Sequence, residues 1–170
     1  MERIISRTFT LRRVTAVGLL VALGTIAAPF SIPVGVAKIY PAQHAINVLA
    51  GVILGPAPAV VAAILTSTLR NLMGTGTLLA FPGSIFGALL AGLAFMLFKR
   101  TYAAAIGEVL GTGLIGALVA FPLARWLLGF EGLALAFIVP FTLSSVAGAI
   151  LGVLILHLWK KTGDSRVQRL

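Results

Sequence analysis

The chain has 170 residues, of which 59% are hydrophobic and only 10% charged, with a mean hydropathy of +1.10 and a net charge of +9. A soluble domain carries about a quarter charged residues, so the composition excludes an ordinary water-soluble fold and gives one lipid-facing domain by length. The basic residues lie between apolar runs, where membrane orientation accounts for them without a nucleic-acid partner, and the lack of cysteine excludes disulfides, thiol nucleophiles and cysteine metal sites.

Six apolar runs predict an all-α, polytopic membrane protein with six transmembrane helices in a single domain over residues 1–170, with basic tails at about 1–12 and 160–170. The first span, Val14 to Phe30, carries Gly18-x-x-x-Ala22. The loop that follows, "PFSIPVGVAKIY", is apolar but broken by Pro29, Pro33 and Gly35, which fits a lid folded over a cavity, with Lys38 and Tyr40 at its return point. The second span is Pro41 to Gly55. Pro41 suits a first helical turn and pushes Tyr40 out of helical geometry. Its fifteen residues cover about 22 Å, so it ends below one membrane surface. Gln43, His44 and Asn47 are three and four apart and share one face.

The third span, Ala57 to Met73, puts Thr66 and Arg70 on one face with Asn71 beside them. An arginine within a span is costly in lipid and should face the bundle interior, a partner or water. The loop from Gly74 to Phe81 fits a re-entrant or capping path. The fourth span runs from Pro82 to Phe98, the fifth from Tyr102 to Leu128 and the sixth from Leu133 to Trp159. Glu108, about 10 Å along the fifth helix from Lys99 and Arg100 by helix rise, either floors a cavity or reaches cytosolic water. Its position predicts a depth different from that of His44. Thr142, Ser144 and Ser145 open the sixth span. Gly83-x-x-x-Gly87, Gly107-x-x-x-Gly111 and Gly148-x-x-x-Gly152 mark close helix packing.

With an inside amino terminus, ten basic residues (Arg3, Arg7, Arg12, Arg13, Lys99, Arg100, Lys160, Lys161, Arg166 and Arg169) fall inside, and Lys38, Arg70 and Arg125 outside. This predicts both termini in the cytoplasm and a multi-pass location in the cell membrane. A cleaved signal peptide ending near Ala27-Ala28 is the rival reading, and it would spoil that asymmetry. Lys38, Tyr40, Gln43, His44, Asn47, Arg70 and Asn71 all map to the outer half. Either they line a small polar cavity, or they bond one another and stabilise short helix ends.

The stretches "PVGVAKIYPAQHAINVLAGVILGP", "TSTLRNLMGTGTLLAFPGSIFGALLAG" and "GEVLGTGLIGAL" resemble the ThiW family, substrate-binding S components of energy-coupling-factor vitamin transporters. The resemblance runs from about Arg12 to Leu158. It implies a six-helix bundle that captures the thiamine precursor hydroxyethylthiazole from outside, partnered by a transmembrane coupling subunit and a pair of ATPases, and that topples in the membrane to release its ligand inwards. It implies too that the first external loop and helices four to six line the site. In such proteins an Ala-x-x-x-Ala on helix one meets the coupling subunit; here Gly18 and Ala22 are the nearest match. The chain itself has no G-x-x-x-x-G-K-[ST] phosphate loop.

A thiazole needs aromatic stacking and a few hydrogen bonds. Tyr40, Phe81 and Trp126 are candidates to stack, and His44, Asn47 and Gln43 to bond, with Glu108, Asn71 and Ser144 completing the candidate site. Arg70 and Lys38 exceed what a neutral ligand requires; they are either paired internally or suited to an anionic variant. Thiamine or its pyrimidine precursor is the alternative ligand. A small membrane enzyme using His44 and Glu108, and a purely structural subunit, are the rival functions. No metal or cofactor is implied.

Overall fold

The computed structural model describes residues 11–34 and 37–161, with the backbone alone for residues 34, 37 and 38. The outer parts of the two basic tails and the Lys38 side chain lie outside the described residues. Among those described are six helices: α1 Leu11–Ile26, α2 Pro41–Ile53, α3 Pro56–Leu72, α4 Ala80–Phe98, α5 Thr101–Leu128 and α6 Leu135–Lys161. Each begins and ends within a few residues of a predicted span. By length and composition α4, α5 and α6 can each cross a membrane, with mean hydropathies of 1.9, 1.8 and 2.2. The helices α1, α2 and α3 have 16, 13 and 17 residues, short of the roughly 20 that a perpendicular crossing takes.

The segment between α1 and α2 departs from the irregular lid expected there. It is an antiparallel hairpin, β1 Ile32–Val34 against β2 Ala37–Ile39, with Ile32 opposite Ile39 and Pro33 opposite Lys38. The physical reason is twofold. Ile32, Val34 and Ile39 are β-branched and favour extended backbone. Pairing also satisfies peptide groups that apolar surroundings would leave without partners. This adds a small β element to a fold that is otherwise all-helical.

Helix α2 is the core of the bundle. Ten of its thirteen residues are buried, and it packs on α6, α4, α3 and α1. Pro41 opens it, and Gly55, at φ +86°, makes the turn into Pro56 at the start of α3. That left-handed conformation favours glycine. Small residues let backbones meet, at Gly51 and Gly92 as well as at the predicted positions. A methyl group on Gly51 would lie 2.8 Å from the Gly92 nitrogen, and one on Gly92 would lie 2.5 Å from the Pro56 Cα. Gly107 and Gly111 face the carbonyls of Leu90 and Phe86, while Gly148 and Gly152 seat α6 on α2.

The distribution of side chains is inverted relative to a soluble protein. Gln43, His44, Asn47, Thr66, Ser67, Arg70, Ser84, Glu108, Thr112, Ser144 and Ser145 are buried, while large apolar residues such as Leu19, Leu65, Leu97, Ile106 and Ile150 are exposed along α1, α3, α4, α5 and α6. A surface this apolar suits lipid rather than water. Within α5, residues Leu110–Gly116 form a π-helical stretch, a local widening that is rare and often found at functional sites.

Gly92→Ala should overpack the contact of α4 with Pro56 at the start of α3 and cost about 1–3 kcal/mol, read as a lower thermal unfolding midpoint of the purified protein. Gly18→Ala, where the added methyl meets open space, should not lower it.

Candidate functional site

A single buried carboxylate organises the centre of the bundle. Glu108 has no exposed surface. Its Oε1 accepts from His44 Nδ1 at 2.7 Å, from Asn47 Nδ2 at 3.1 Å and from Thr112 Oγ1 at 2.9 Å. Asn47 Nδ2 also donates to the Ser84 carbonyl at 3.3 Å, and the Thr112 hydroxyl is 2.9 Å from the Gly83 carbonyl. Residues from α2, α4 and α5 are thereby tied into one network. Gly87 makes room for it, since a methyl group there would sit 2.5 Å from Glu108 Oε2 and collide with Thr112 Oγ1.

With Nδ1 donating to the carboxylate, His44 presents Nε2 as its remaining polar atom. His44 borders a cavity of about 520 Å³, within the range of small-molecule sites. Ser84, Gly83 and Thr112 share its deep wall. Phe137 and Phe141 of α6 form an aromatic side, with ring centroids 6.4 Å apart; Phe130 packs edge-on to Phe137 at 4.9 Å. Tyr40, Gln43, Arg70 and Ser144 close the end beside the hairpin. There Ser144 Oγ accepts from the Tyr40 backbone N–H at 2.8 Å, and the Arg70 guanidinium stacks on the Tyr40 ring at 4.3 Å.

The predicted site residues divide clearly. Tyr40, Gln43, His44, Arg70 and Ser144 line one cavity. Asn47 and Glu108 do not line it; they stand behind His44 and Thr112 as its support. Asn71 is also outside the wall and donates instead to the carbonyls of Ser67 and Thr77, holding the turn after α3. Phe81 is half-buried away from the cavity, and Trp126 is 84% exposed. An aromatic near the right helix end is not enough, because its rotation about the axis decides which way it faces.

The expected depth difference between His44 and Glu108 is overturned, since the two are in direct contact. Their contact places the first turn of α2, about 20 Å long, level with the second turn of α5, about 42 Å long. The sequence reading missed Phe137 and Phe141 as wall residues because they belong to a uniformly apolar helix. The signal was present in their spacing: Phe137, Phe141 and Ser144 recur at four and three residues and share one face.

An apolar helical bundle that encloses a mixed polar and aromatic cavity has the build of a membrane transporter. The profile of the thiamine-precursor transporter protein (ThiW) family matches residues 14–162, and the chain belongs to that family, one of transporters rather than enzymes. No curated protein and no solved structure matches the chain.

Glu108→Ala would leave the buried His44 Nδ1 donor without its acceptor and would leave Asn47 and Thr112 only the carbonyls of Ser84 and Gly83. It should lower stability by about 2 kcal/mol or more, measured by thermal or denaturant unfolding, whereas Glu108→Gln, which keeps one carbonyl oxygen, should cost less.

Proposed function

We propose that this chain is the substrate-capture subunit of an uptake system, taking the thiamine precursor hydroxyethylthiazole from outside the cell and delivering it through an ATP-driven coupling module. The observation that carries this reading is the cavity of about 520 Å³, bounded by the aromatic wall of Phe137 and Phe141 and by the polar groups of His44 and Ser144. A five-membered heteroaromatic ring stacks on such a wall. His44 Nε2 and Ser144 Oγ are suited to bond its nitrogen and hydroxyl. The cavity has room for a second ring, which favours thiamine as the alternative ligand.

All six helices cross the cytoplasmic membrane in this reading, the short ones with help from their flanking segments. The hairpin end faces outwards and the α4–α5 turn faces the cytoplasm with both termini. Support comes from charge: Lys99, Arg100, Lys160 and His157 border one surface at the end opposite the hairpin, in keeping with the preference of cytoplasmic loops for basic residues. The hairpin then serves as the outer lid. The coupling subunit binds the exposed face of α1 that carries Gly18 and Ala22, where open space lies over Gly18. Small residues there allow close backbone approach by a partner helix. A pair of ATPases, bound through the coupling subunit, supplies the energy.

Titration calorimetry on the purified chain should give saturable, ATP-independent binding of hydroxyethylthiazole. Phe141→Ala should weaken it about tenfold through lost stacking and contact, and Trp126→Ala should leave it unchanged. The absence of heat for the thiazole, the pyrimidine precursor and thiamine alike would overturn the proposal.

A further inference from the structure

Arg70 is a buried cation whose protein partners carry no formal charge. It is 3% exposed and borders the cavity. Its Nη1 donates to Gln43 Oε1 at 3.2 Å, its Nη2 donates to the Thr75 carbonyl at 3.3 Å, and the Tyr40 ring lies beneath it. The carboxylates among the described residues are Glu108 and Glu131. Glu108 is engaged by His44, Asn47 and Thr112. Glu131 is exposed in the connection between α5 and α6, and neither forms an ion pair with Arg70.

A guanidinium keeps its charge under any condition the protein meets, and burying it is costly without a counter-charge. Three of its five N–H donors have no partner in the described structure, counting the two hydrogen bonds above. Arg70 Nε and Gln43 Nε2 are both buried without an acceptor. The unmet groups at this end of the cavity are therefore donors.

We propose that Arg70, Gln43 and Tyr40 form a subsite for an anionic oxyacid group, a carboxylate or phosphate monoester borne on the arm of the ligand. This rests on the reading of the cavity as the precursor-binding site. The planar fork of arginine matches two oxygens of either group, and the oxyacid supplies the missing negative charge. With the ring on the Phe137–Phe141 side, the arm extends towards the hairpin end, where Arg70 lies.

The test titrates the full purified chain with three probes: hydroxyethylthiazole, its phosphate monoester, and the analogue whose arm ends in a carboxylate. At least one anionic probe should bind about 10- to 100-fold more tightly than the alcohol, the gain of a charge-assisted contact, and the tighter of the two identifies the group. Arg70→Met should bring the anion-to-alcohol ratio down to about one, and Arg70→Lys should keep part of it. Wild-type binding of the alcohol as tight as that of both anions would overturn this proposal while leaving the capture function standing. No binding of any probe, of thiamine or of the pyrimidine precursor would overturn both. The wild-type comparison decides the matter even where Arg70→Met does not fold, and Gln43→Leu supplies a second variant that should narrow the ratio.

Discussion

The structure depends on the need of one buried carboxylate for hydrogen-bond donors. Glu108 is buried in the centre of the bundle, so its lone pairs call for donors from the protein. At Oε1 helix α2 meets them through His44 and Asn47, and α5 through Thr112, while Oε2 is buried without a hydrogen-bond partner among the described residues. Between lipid-facing helices the hydrophobic effect does little to select one arrangement, because the lipid is as apolar as the side chains. A directional polar network supplies that selection. It sets the rotation of α2 and its depth against α4 and α5, and the absence of side chains at Gly87 and Gly148 lets the neighbouring groups reach their positions.

The cavity inherits its polarity from this arrangement. Its floor is a histidine oriented by a carboxylate, its side is aromatic, and its hairpin end carries a guanidinium over a tyrosine ring. The lining of the cavity is thus distributed over several helices, with α6 supplying the aromatic pair and Ser144. The hydrogen bond from the Tyr40 backbone to Ser144 joins the end of the hairpin to α6, the helix that carries the aromatic wall.

Much of this was legible in the sequence. Apolar runs marked all six helices to within a few residues, because hydrophobic length and the prolines at positions 41 and 56 leave little freedom. The polar cluster of Tyr40, Gln43, His44 and Arg70 was equally visible, since such groups stand out in an apolar chain. Relative depth was not, because helix lengths alone do not say where a short helix sits; the meeting of His44 with Glu108 went unseen for that reason. Azimuth was the other blind spot. Trp126 and Phe81 were chosen for their chemistry, while Phe137 and Phe141, on an unremarkable apolar helix, face the cavity. The hairpin went unread because three-residue strands carry too little pattern.

The π-helical stretch in α5 has a bearing on how this chain can vary. A widened turn of this kind holds an inserted residue relative to a regular helix, and each α-helical residue rotates the chain by about 100°. A π-helical turn spreads more residues over one rotation than the roughly 3.6 of an α turn, so removing one amino acid between positions 110 and 116 would let the stretch close into regular α-helix and leave the Ala117–Leu128 segment with nearly the same flank towards α4 and α6. Homologous chains one residue shorter here would need no compensating changes along the rest of that helix, so this one turn takes up a change of length that would shift the phase of a regular helix.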